Sequence, residues 1–398
     1  MEKSEIVQWE QSCVLQTYRR APFVVERGEG VYLYDTEGRR YLDMVAGIAV
    51  NALGYGDPEV LAALSEQAAR LMHVSNLYHT APHALLAREL VERSFADRVF
   101  FCNSGTEAAE AALKFARKWH RVNHPGQDRR GLVAFTGSFH GRTLGALSLT
   151  HREKYRLPFE PLVPEVTFLP FNDVAAAKAG IGPMTGAVFV EPLQGEGGVH
   201  PADPAFLRAL RDICDRQEAL LVFDEVQCGL GRTGTLWAHE AAGVTPDLMT
   251  VAKPLGGGLP IGACLLTQRV ADAIEPGDHG STFAANPAIC AVARVVLRRV
   301  SDPAFLAQVR ERGAHLERGL VALQSRHPVL RQVRGRGLIW GLELAVDAAP
   351  LVSRGYERGL IVTNAGDRVL RLVPPLVIDK QQIDQGLAII DELLATEE

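Results

Sequence analysis

Asp224 and Lys253 are the charged residues whose positions in this sequence first suggest chemistry. Asp224 directly follows the apolar run Leu220–Phe223, and Lys253 lies shortly after the run Leu248–Val251. If these runs are buried strands, an unpaired charge at either end is costly. A desolvated lysine has a lowered pKa and can act as a Schiff-base amine, and a neighbouring carboxylate can keep a pyridine nitrogen protonated. A buried structural salt bridge between the two residues explains the same positions equally well.

Gly105 and Thr106 form a second candidate site, because they lie where the apolar run Val99–Cys102 gives way to a helical pattern. Apolar residues recur there at helical spacing, namely Ala109, Ala112, Leu113 and Ala116. A helix N-terminus presents unpaired N–H groups and a partial positive charge, and a glycine lets a phosphate approach the backbone closely. Simple N-capping by Ser104 or Thr106, with Glu107 in the first turn, is the alternative interpretation.

Six short apolar runs predict the elements that must position these groups. Each run is apolar on both faces, as expected for strands that are covered on both sides. The runs are Val99–Cys102, Leu132–Phe135, Ala187–Val190, Leu220–Phe223, Leu248–Val251 and Ala263–Leu266. Helical patterns such as Pro204–Gln217 lie between several of them. The sequence therefore predicts an α/β fold with a mostly parallel sheet covered by helices on both faces.

Polar, charged or glycine residues directly follow five of these runs. These segments are Asn103–Glu107, Thr136–Thr143, Glu191–Gly198, Asp224–Gln227 and Ala252–Gly258. Ligands of parallel sheets bind beyond the carboxyl ends of the strands. Because all five segments should meet at one edge of the sheet, the sequence predicts a functional site there.

Changes of pattern along the chain predict three segments. Residues 1–57 contain two strand-like runs, Val31–Tyr34 and Arg40–Leu42, separated by a glycine-containing turn, which predicts a β-hairpin in an N-terminal segment that packs with a small domain. Residues 58–285 carry the alternating pattern and form the predicted large, ligand-binding domain. Residues 286–398 combine long helical patterns with a few strands, which predicts a smaller C-terminal α+β domain.

Composition and charge exclude several classes of protein. The chain has 42 Lys and Arg against 47 Asp and Glu, a net charge of −5, and the basic residues do not cluster, so no nucleic-acid partner is expected. The six cysteines are scattered without CxxC spacing, so neither a metal site nor a disulfide framework is predicted. The sequence also lacks a signal-peptide pattern and a stretch of about 18 apolar residues, so we expect a cytoplasmic protein that binds no membrane.

The segment Gly229–Gly234 matches the pattern GxGxxG of nucleotide-binding turns. That pattern should begin where a strand turns directly into a helix. Here Asp224–Cys228 intervene after the apolar run, and Thr235–Ala238 open no clear helix. A nicotinamide-dependent dehydrogenase is therefore a remote alternative.

Two neighbouring motifs, Asp224–Gly234 and Ala252–Gly258, carry a resemblance to a known family. The sequence resembles the class III, fold type I aminotransferases, which use pyridoxal 5'-phosphate. Further matching segments are Asn103–Ala108, Ser138–Thr143, Glu191–Gly198, His279–Thr282 and Arg371–Pro375. Within the class, the segment Ala46–Gly54 is most similar to the acetylornithine aminotransferases. The resemblance implies the fold type I architecture, with a large and a small domain.

The resemblance implies roles for four residues around the cofactor ring. Lys253 would carry pyridoxal phosphate as a Schiff base and would act as the proton shuttle once the substrate amine displaces it. Asp224 would pair with the pyridine nitrogen, and Gln227 would bond the 3-oxygen of the ring. Phe139 would stack on the ring.

The resemblance also implies a phosphate site that two subunits share. Gly105 and Thr106 would hold the phosphate, and Thr282, reaching over from a second subunit, would complete the site. This arrangement implies a homodimer with shared active sites.

The substrate-binding residues are likewise implied by the resemblance. Arg142 would clamp the substrate carboxylate, and Ser281 would contact the acylated substrate. Arg371 resembles the arginine that binds the α-carboxylate of glutamate, and Glu196 resembles the carboxylate that masks it. Tyr18 resembles a substrate-contacting tyrosine. For the two arginines, ion pairing at a surface or an interface is the alternative.

The expected activity is a ping-pong transfer of the terminal amino group of N2-acetyl-L-ornithine to 2-oxoglutarate. Succinyl-diaminopimelate, free ornithine and lysine linked to a carrier protein are alternative donors, because each offers a primary amine at the far end of the molecule. A mutase or decarboxylase that uses the same cofactor is an alternative from another class of enzyme.

Overall fold

The computed structural model describes residues 2–397 and contains 17 strands over this range. In chain order these are β1 (Val25–Glu29), β2 (Tyr32–Asp35), β3 (Arg40–Asp43), β4 (Arg98–Cys102), β5 (Gly131–Phe135), β6 (Val166–Leu169), β7 (Thr185–Val190), β8 (Leu193–Gln194), β9 (His200–Pro201), β10 (Leu220–Asp224), β11 (Leu248–Val251), β12 (Gly262–Leu266), β13 (Leu330–Arg336), β14 (Ile339–Leu344), β15 (Leu360–Ile361), β16 (Thr363–Asn364) and β17 (Val369–Leu372).

Fourteen helices lie in the same range. They are α1 (Lys3–Cys13), α2 (Ala46–Ala49), α3 (Pro58–Arg70), α4 (Ala81–Val91), α5 (Gly105–Asn123), α6 (Leu144–Ser148), α7 (Glu153–Arg156), α8 (Val174–Gly180), α9 (Pro204–Gln217), α10 (Gln268–Ala271), α11 (Pro287–Val300), α12 (Pro303–Arg326), α13 (Ala348–Glu357) and α14 (Lys380–Ala395). Three short 3-10 helices cover Leu157–Phe159, Ala238–Ala242 and Lys253–Gly256. None of the helices described is long and apolar enough to cross a membrane.

Several helices begin where an aspartate precedes a proline. At the start of α12, the Asp302 carboxylate accepts hydrogen bonds from the backbone N–H groups of Ala304 and Phe305, and Pro303 occupies the first helical position. An aspartate at this position satisfies N–H groups that lack intrahelical partners, and proline is tolerated there because its missing N–H is not needed. The same Asp-Pro pair precedes α9, whose bounds are those predicted from the sequence.

The largest sheet has seven strands in the order β4-β12-β11-β10-β7-β5-β6. Six of these strands run in the same direction, and β12 alone is antiparallel to both of its neighbours. Only residues 252–261 connect β11 to β12, which is shorter than the roughly dozen residues that a parallel crossover needs. The predicted mostly parallel sheet is confirmed, with this one reversed strand.

The large sheet is covered by helices on both faces, as predicted. In β10, Leu221 and Phe223 join the core that contains residues of α9, such as Phe206. The alternate residues of β10 join a second core with residues of α5, such as Phe115. All five residues of β10 are buried, which explains why the run is apolar on both faces.

The remaining strands form two four-stranded sheets and the two-stranded sheet β8-β9. The predicted hairpin is present as β2 and β3, and the sheet that contains it has the order β1-β2-β3-β15. Because β15 comes from the C-terminal part of the chain and pairs with β3, the N-terminal strands share a sheet with that part. The other four-stranded sheet has the order β13-β14-β17-β16. The domain boundaries at residues 57 and 285 stay a prediction.

Candidate active site

A cavity of about 440 Å³ lies at the carboxyl ends of the parallel strands. Residues that follow β4, β5, β7, β10 and β11 all line it, which are the five strand ends singled out in the sequence. The cavity brings together eight of the candidate residues: Gly105, Thr106, Phe139, Arg142, Glu196, Asp224, Gln227 and Lys253. The geometry of the sheet thus gathers, at one point, groups that are far apart in sequence.

Lys253 lies in the cavity at the start of the 3-10 helix that follows β11. Its backbone φ is +38°, which is an unusual value for a residue with a side chain. Burial lowers the pKa of Lys253 to about 8, although the nearby Glu196 carboxylate opposes this shift. No described residue forms a hydrogen bond or an ion pair with its amine. The lowered pKa increases the share of this amine that is unprotonated near neutral pH and available as a nucleophile.

Asp224 pairs with a histidine and not with Lys253. Its Oδ2 lies 2.7 Å from Nδ1 of His140, and its Oδ1 accepts a hydrogen bond of 3.0 Å from the backbone N–H of Val226. Burial alone would lower the pKa of His140, but the hydrogen bond and the charge of Asp224 raise it above its ordinary value. The alternative of a direct Asp224–Lys253 salt bridge is not found within residues 2–397.

Glu191 adds a second buried carboxyl group to this part of the cavity. Burial raises its pKa to about 8, and the charge of Asp224 contributes to the shift. Its oxygens accept hydrogen bonds from the backbone N–H groups of Phe139 and Gly195. His140 and Glu191 both lie in polar segments that follow predicted strands, but their residue types alone gave no reason to assign them a role.

The N-terminus of α5 is capped and also faces the cavity. The Ser104 hydroxyl accepts a hydrogen bond of 3.3 Å from the backbone N–H of Glu107. The backbone N–H groups of Gly105 and Thr106 donate to no acceptor among the described residues, and both residues line the cavity. N-capping and an anion site are therefore compatible here. A Cβ atom at Gly105 would lie 2.7 Å from Cγ1 of Val226, so the packing requires glycine.

Arg371 lies on β17 with its side chain almost fully buried. Its Nη1 is 2.6 Å from Oε1 of Glu196 and donates a 3.0 Å hydrogen bond to Oε1 of Gln227. Gln227 donates in turn to the same Glu196 oxygen over 3.1 Å. Burial raises the pKa of Glu196, but the positive charges of Arg371 and Lys253 outweigh it and lower the pKa overall. A carboxylate therefore occupies one edge of this guanidinium, while its Nε has no hydrogen-bond partner.

Arg142 presents its guanidinium at the edge of the cavity without an ion pair among the described residues. Its Cζ lies 3.6 Å from the ring centroid of Tyr155 and 5.5 Å from that of Phe139. The side chain is exposed, so the charge is solvated and can exchange water for a ligand.

Four candidate residues do not line this cavity, namely Arg371, which contacts it through Glu196 and Gln227, and Tyr18, Ser281 and Thr282. Tyr18 is 76% exposed and lies beside α1 in the N-terminal segment. Thr282 is exposed, and Ser281 accepts a 2.9 Å hydrogen bond from the side-chain amide of Asn103, which does line the cavity. Their predicted contacts with substrate and phosphate stay predictions.

The Gly229–Gly234 segment forms a series of turns, and no helix begins at its end. The side chain of Arg232 is fully buried and donates to the carbonyl oxygens of Leu338 and Pro374 over 3.0 and 2.5 Å. The segment thus ties the large sheet to the C-terminal part of the chain. The segment therefore lacks the strand-turn-helix geometry of a dinucleotide site.

The groups in the cavity suit a ligand with an anionic end, an aromatic ring and an aldehyde. The free N–H groups at the start of α5 suit a phosphate. The aromatic face of Phe139 suits a ring, and the Asp224 carboxylate suits a protonated ring nitrogen. The amine of Lys253, with its lowered pKa, suits an aldehyde. Pyridoxal phosphate has all of these features, so the residues present fit this cofactor.

Comparisons with known proteins agree with this chemistry. The model of the family "Aminotransferase class-III" matches residues 14–394. The mitochondrial acetylornithine aminotransferase of Alnus glutinosa is 54% identical over 382 residues, which cover 95% of this chain and 85% of that protein.

Solved structures give the same result for the fold. The ornithine aminotransferase of Toxoplasma gondii superposes with a TM-score of 0.95 at 33% identity, covering 100% of this chain and 96% of that one. The N-acetylornithine aminotransferase of Stenotrophomonas maltophilia superposes with a TM-score of 0.86 at 39% identity, covering 98% and 99%. The chain therefore belongs to the class-III aminotransferases, a family of enzymes that depend on pyridoxal phosphate.

Proposed function

We propose that this aminotransferase holds pyridoxal 5'-phosphate on Lys253 and moves the terminal amino group of N2-acetyl-L-ornithine to 2-oxoglutarate. The products are N-acetylglutamate 5-semialdehyde and glutamate, released in two half-reactions. One observation carries the proposal: Arg142 shares the cavity with the buried Lys253 and has no ion pair within residues 2–397, whereas Arg371, whose charge acts on Lys253, is masked by the Glu196 carboxylate. Such a pair can serve two substrates that each carry an α-carboxylate in turn.

The cofactor, when bound, supplies an electron sink that stabilises negative charge on the reacting substrate carbon. Gly105 and Thr106 would hold its phosphate through their backbone N–H groups. Asp224 would hold the ring nitrogen in its protonated form, because a carboxylate in a buried site strongly favours a positive partner. The hydrogen bond from His140 fixes the orientation of that carboxylate.

Lys253 carries the chemical steps that the protein itself performs. Its lowered pKa makes the amine a nucleophile near neutral pH. Once a substrate amine has taken its place, the amine of Lys253 would take a proton from the substrate carbon that bears the amino group and deliver it to the cofactor carbon, as general base and then general acid.

The two arginines would each bind the α-carboxylate of a different substrate. Arg142 would bind the α-carboxylate of acetylornithine, since its N–H edges are not engaged by any described carboxylate. During this half-reaction Glu196 stays on Arg371, so the second guanidinium does not compete for the donor. When 2-oxoglutarate arrives, its α-carboxylate would replace Glu196 on Arg371, and this exchange lets one cavity accept both molecules.

The active enzyme is a homodimer whose subunits share their active sites. Supporting this, large apolar side chains are exposed on the chain, among them Leu71, Met72, Leu77, Tyr78 and Phe283. The rings of His73 and Phe283 are in contact, with centroids 5.3 Å apart, so these exposed residues lie next to one another, and a contiguous apolar patch is typical of a protein–protein interface. Thr282 is adjacent to Phe283 and outside the cavity of its own subunit, as a residue given to a second subunit would be.

Mixed dimers test the sharing of sites. Lys253→Ala and Thr282→Glu subunits, each inactive as a homodimer, are co-expressed with different affinity tags. If Thr282 serves the other subunit, the mixed dimer has one intact site and recovers up to half of the wild-type activity. If Thr282 serves its own subunit, no site is intact and the mixed dimer is inactive.

The activity itself is tested with purified protein and parallel donors. We expect glutamate to form from 2-oxoglutarate with acetylornithine, and Lys253→Ala to lose turnover while its fold is retained. Succinyl-diaminopimelate, free ornithine and carrier-linked lysine are assayed at the same time, and a higher kcat/KM for one of them would replace acetylornithine as the donor. A substrate consumed without glutamate formation would indicate a mutase or decarboxylase.

A further inference from the structure

The guanidinium of Arg142 is held by aromatic faces and by no carboxylate of the described chain. Its Cζ lies 3.6 Å from the ring centroid of Tyr155, well within the roughly 6 Å over which a cation is attracted to a ring face. The ring of Phe139 lies 5.5 Å away, and the two rings are nearly perpendicular with centroids 6.4 Å apart. The side chain of Arg142 therefore rests in a corner formed by two aromatic residues.

The backbone of Arg142 is fixed by the start of α5. Its N–H donates a 3.0 Å hydrogen bond to Oγ1 of Thr106. The preceding Gly141 has a φ of +141°, and a Cβ atom there would lie 2.2 Å from the same Thr106 oxygen. With the backbone held in this way, only the side-chain torsions of Arg142 are free to vary, and the Tyr155 ring limits them.

Tyr155 is itself on a well-anchored segment. The backbone N–H of His151 donates to the carbonyl oxygen of Ser138 over 3.0 Å, which ties the start of this segment to the loop after β5. Tyr155 lies in α7, and its own N–H donates to the carbonyl oxygen of Arg152 over 3.0 Å. The ring is partly buried, and no described residue forms a hydrogen bond with its hydroxyl group. The contact that the side chain offers to Arg142 is therefore its ring face.

We propose that Tyr155 is a positioning residue that makes the enzyme prefer amino donors with an α-carboxylate. A guanidinium that stacks on a ring keeps its in-plane N–H donors free, whereas an ion pair with the protein would use them. Those donors can then form the two parallel hydrogen bonds that a carboxylate accepts. The inference rests on the proposed function, because it takes the role of Arg142 in donor binding as its starting point.

A matched pair of donors isolates this effect. N-acetyl-1,4-diaminobutane is acetylornithine without its carboxylate, so it keeps the reacting amine and the acyl group. In Tyr155→Leu we expect KM for acetylornithine to rise about 2- to 5-fold, the range expected for losing a cation–π contact at an exposed site. We expect kcat, KM for 2-oxoglutarate and KM for N-acetyl-1,4-diaminobutane to change less than about twofold, within the usual effect of a substitution that touches nothing else. Tyr155→Phe keeps the ring face and should retain the wild-type KM.

A double variant shows whether Tyr155 acts through Arg142. Arg142→Met removes the guanidinium, and adding Tyr155→Leu to it should raise KM for acetylornithine no further. Two results would overturn the proposal. One is an equal rise in KM for both donors in Tyr155→Leu, and the other is an undiminished rise in KM for acetylornithine when Tyr155→Leu is added to Arg142→Met. If the wild type transfers from free ornithine and not from acetylornithine, the donor assignment fails, and the same comparison is made with ornithine and 1,4-diaminobutane.

Discussion

Lys253 is predicted to destabilise the protein whenever the cofactor is not bound to it. Burial lowers the pKa of Lys253 from 10.5 to about 8, so the folded protein holds this proton less tightly than the unfolded chain does. Each unit of pKa corresponds to about 1.4 kcal/mol. At pH 7 the amine is protonated in both states, and the folded state is then disfavoured by up to about 3 kcal/mol.

The sign of this effect fixes its dependence on pH. Above pH 10.5 the amine is neutral in both states and the penalty is absent. As the pH falls, the unfolded chain takes up the proton first, and the penalty grows until the folded protein also becomes protonated near pH 8. Below pH 8 the penalty is constant. A Lys253→Met variant, which fills similar space without a charge, should therefore be more stable than the wild type at pH 7.

The expected difference is measurable by thermal unfolding. A chain of 398 residues has an unfolding entropy of about 0.8 kcal/mol/K, so about 3 kcal/mol corresponds to a Tm about 4 °C higher. Both proteins are stripped of cofactor and melted at one scan rate at pH 7 and at pH 10.5. The difference in Tm between Lys253→Met and the wild type should shrink to near zero at pH 10.5. Lys178→Met, at an exposed lysine of α8, is the matched control and should show no such dependence.

Two results would refute this reasoning. One is a Lys253→Met protein that melts at or below the wild-type Tm at pH 7. The other is a gain in Tm that stays the same at pH 10.5, because a gain from better packing would not depend on the protonation of an amine.

Three further substitutions test other contacts of the site. Glu196→Gln removes the charge that faces Arg371, so we expect a few-fold lower KM for 2-oxoglutarate and a higher one for the donor, measured in separate half-reactions. Asp224→Asn removes the negative partner for the ring nitrogen and should slow turnover about 100-fold or more, measured with the cofactor at saturation. Gly141→Ala places a Cβ atom 2.2 Å from Oγ1 of Thr106 at a φ of +141°, and should cost about 1–3 kcal/mol, measured as a lower Tm. An unchanged Tm for this last variant would mean that the loop adjusts freely.

Six of the seven strands of the large sheet were predicted, because burial on both faces makes them continuously apolar. The edge strand β6 was missed, since it is only partly buried and has no such run. The run Leu248–Val251 has the bounds of β11, and Leu220–Phe223 is β10 without its last residue. The edge at which the site lies followed from the same pattern, since parallel strands place their carboxyl ends together. Helix α9 was equally clear from its apolar spacing and the proline at its start.

The direction of β12 could not be obtained from its own residues. Gly262–Leu266 is as apolar as the parallel strands beside it, because a central strand is buried on both faces in either direction. The only signal was the short connection after Val251, which excludes a helical crossover. Loop length was therefore the informative quantity, and composition was not.

The hydrogen-bond and ion-pair partners of the charged groups also could not be predicted from the sequence. Asp224 and Lys253 follow neighbouring strands, yet Asp224 pairs with His140, which lies 84 positions earlier. The burial and the rotamer of each side chain decide which partner it pairs with, and neither can be predicted from the spacing of residues in the sequence. The contact between Tyr155 and Arg142 was missed for the same reason.

The pairing of charges in the cavity separates its structural groups from its reactive ones. Asp224 is engaged by His140 and Glu196 by Arg371, so the burial of these two carboxylates is offset by a fixed partner, whereas Glu191, whose pKa burial raises to about 8, accepts hydrogen bonds only from backbone N–H groups within residues 2–397. Lys253 and Arg142 have neither an ion pair nor a side-chain hydrogen bond within residues 2–397. A buried cation such as Lys253 is costly without a partner unless a ligand supplies one, and the exposed guanidinium of Arg142 can exchange water for a ligand. The two groups left without partners are those that the proposed reaction needs, one to meet an aldehyde and one to meet a carboxylate.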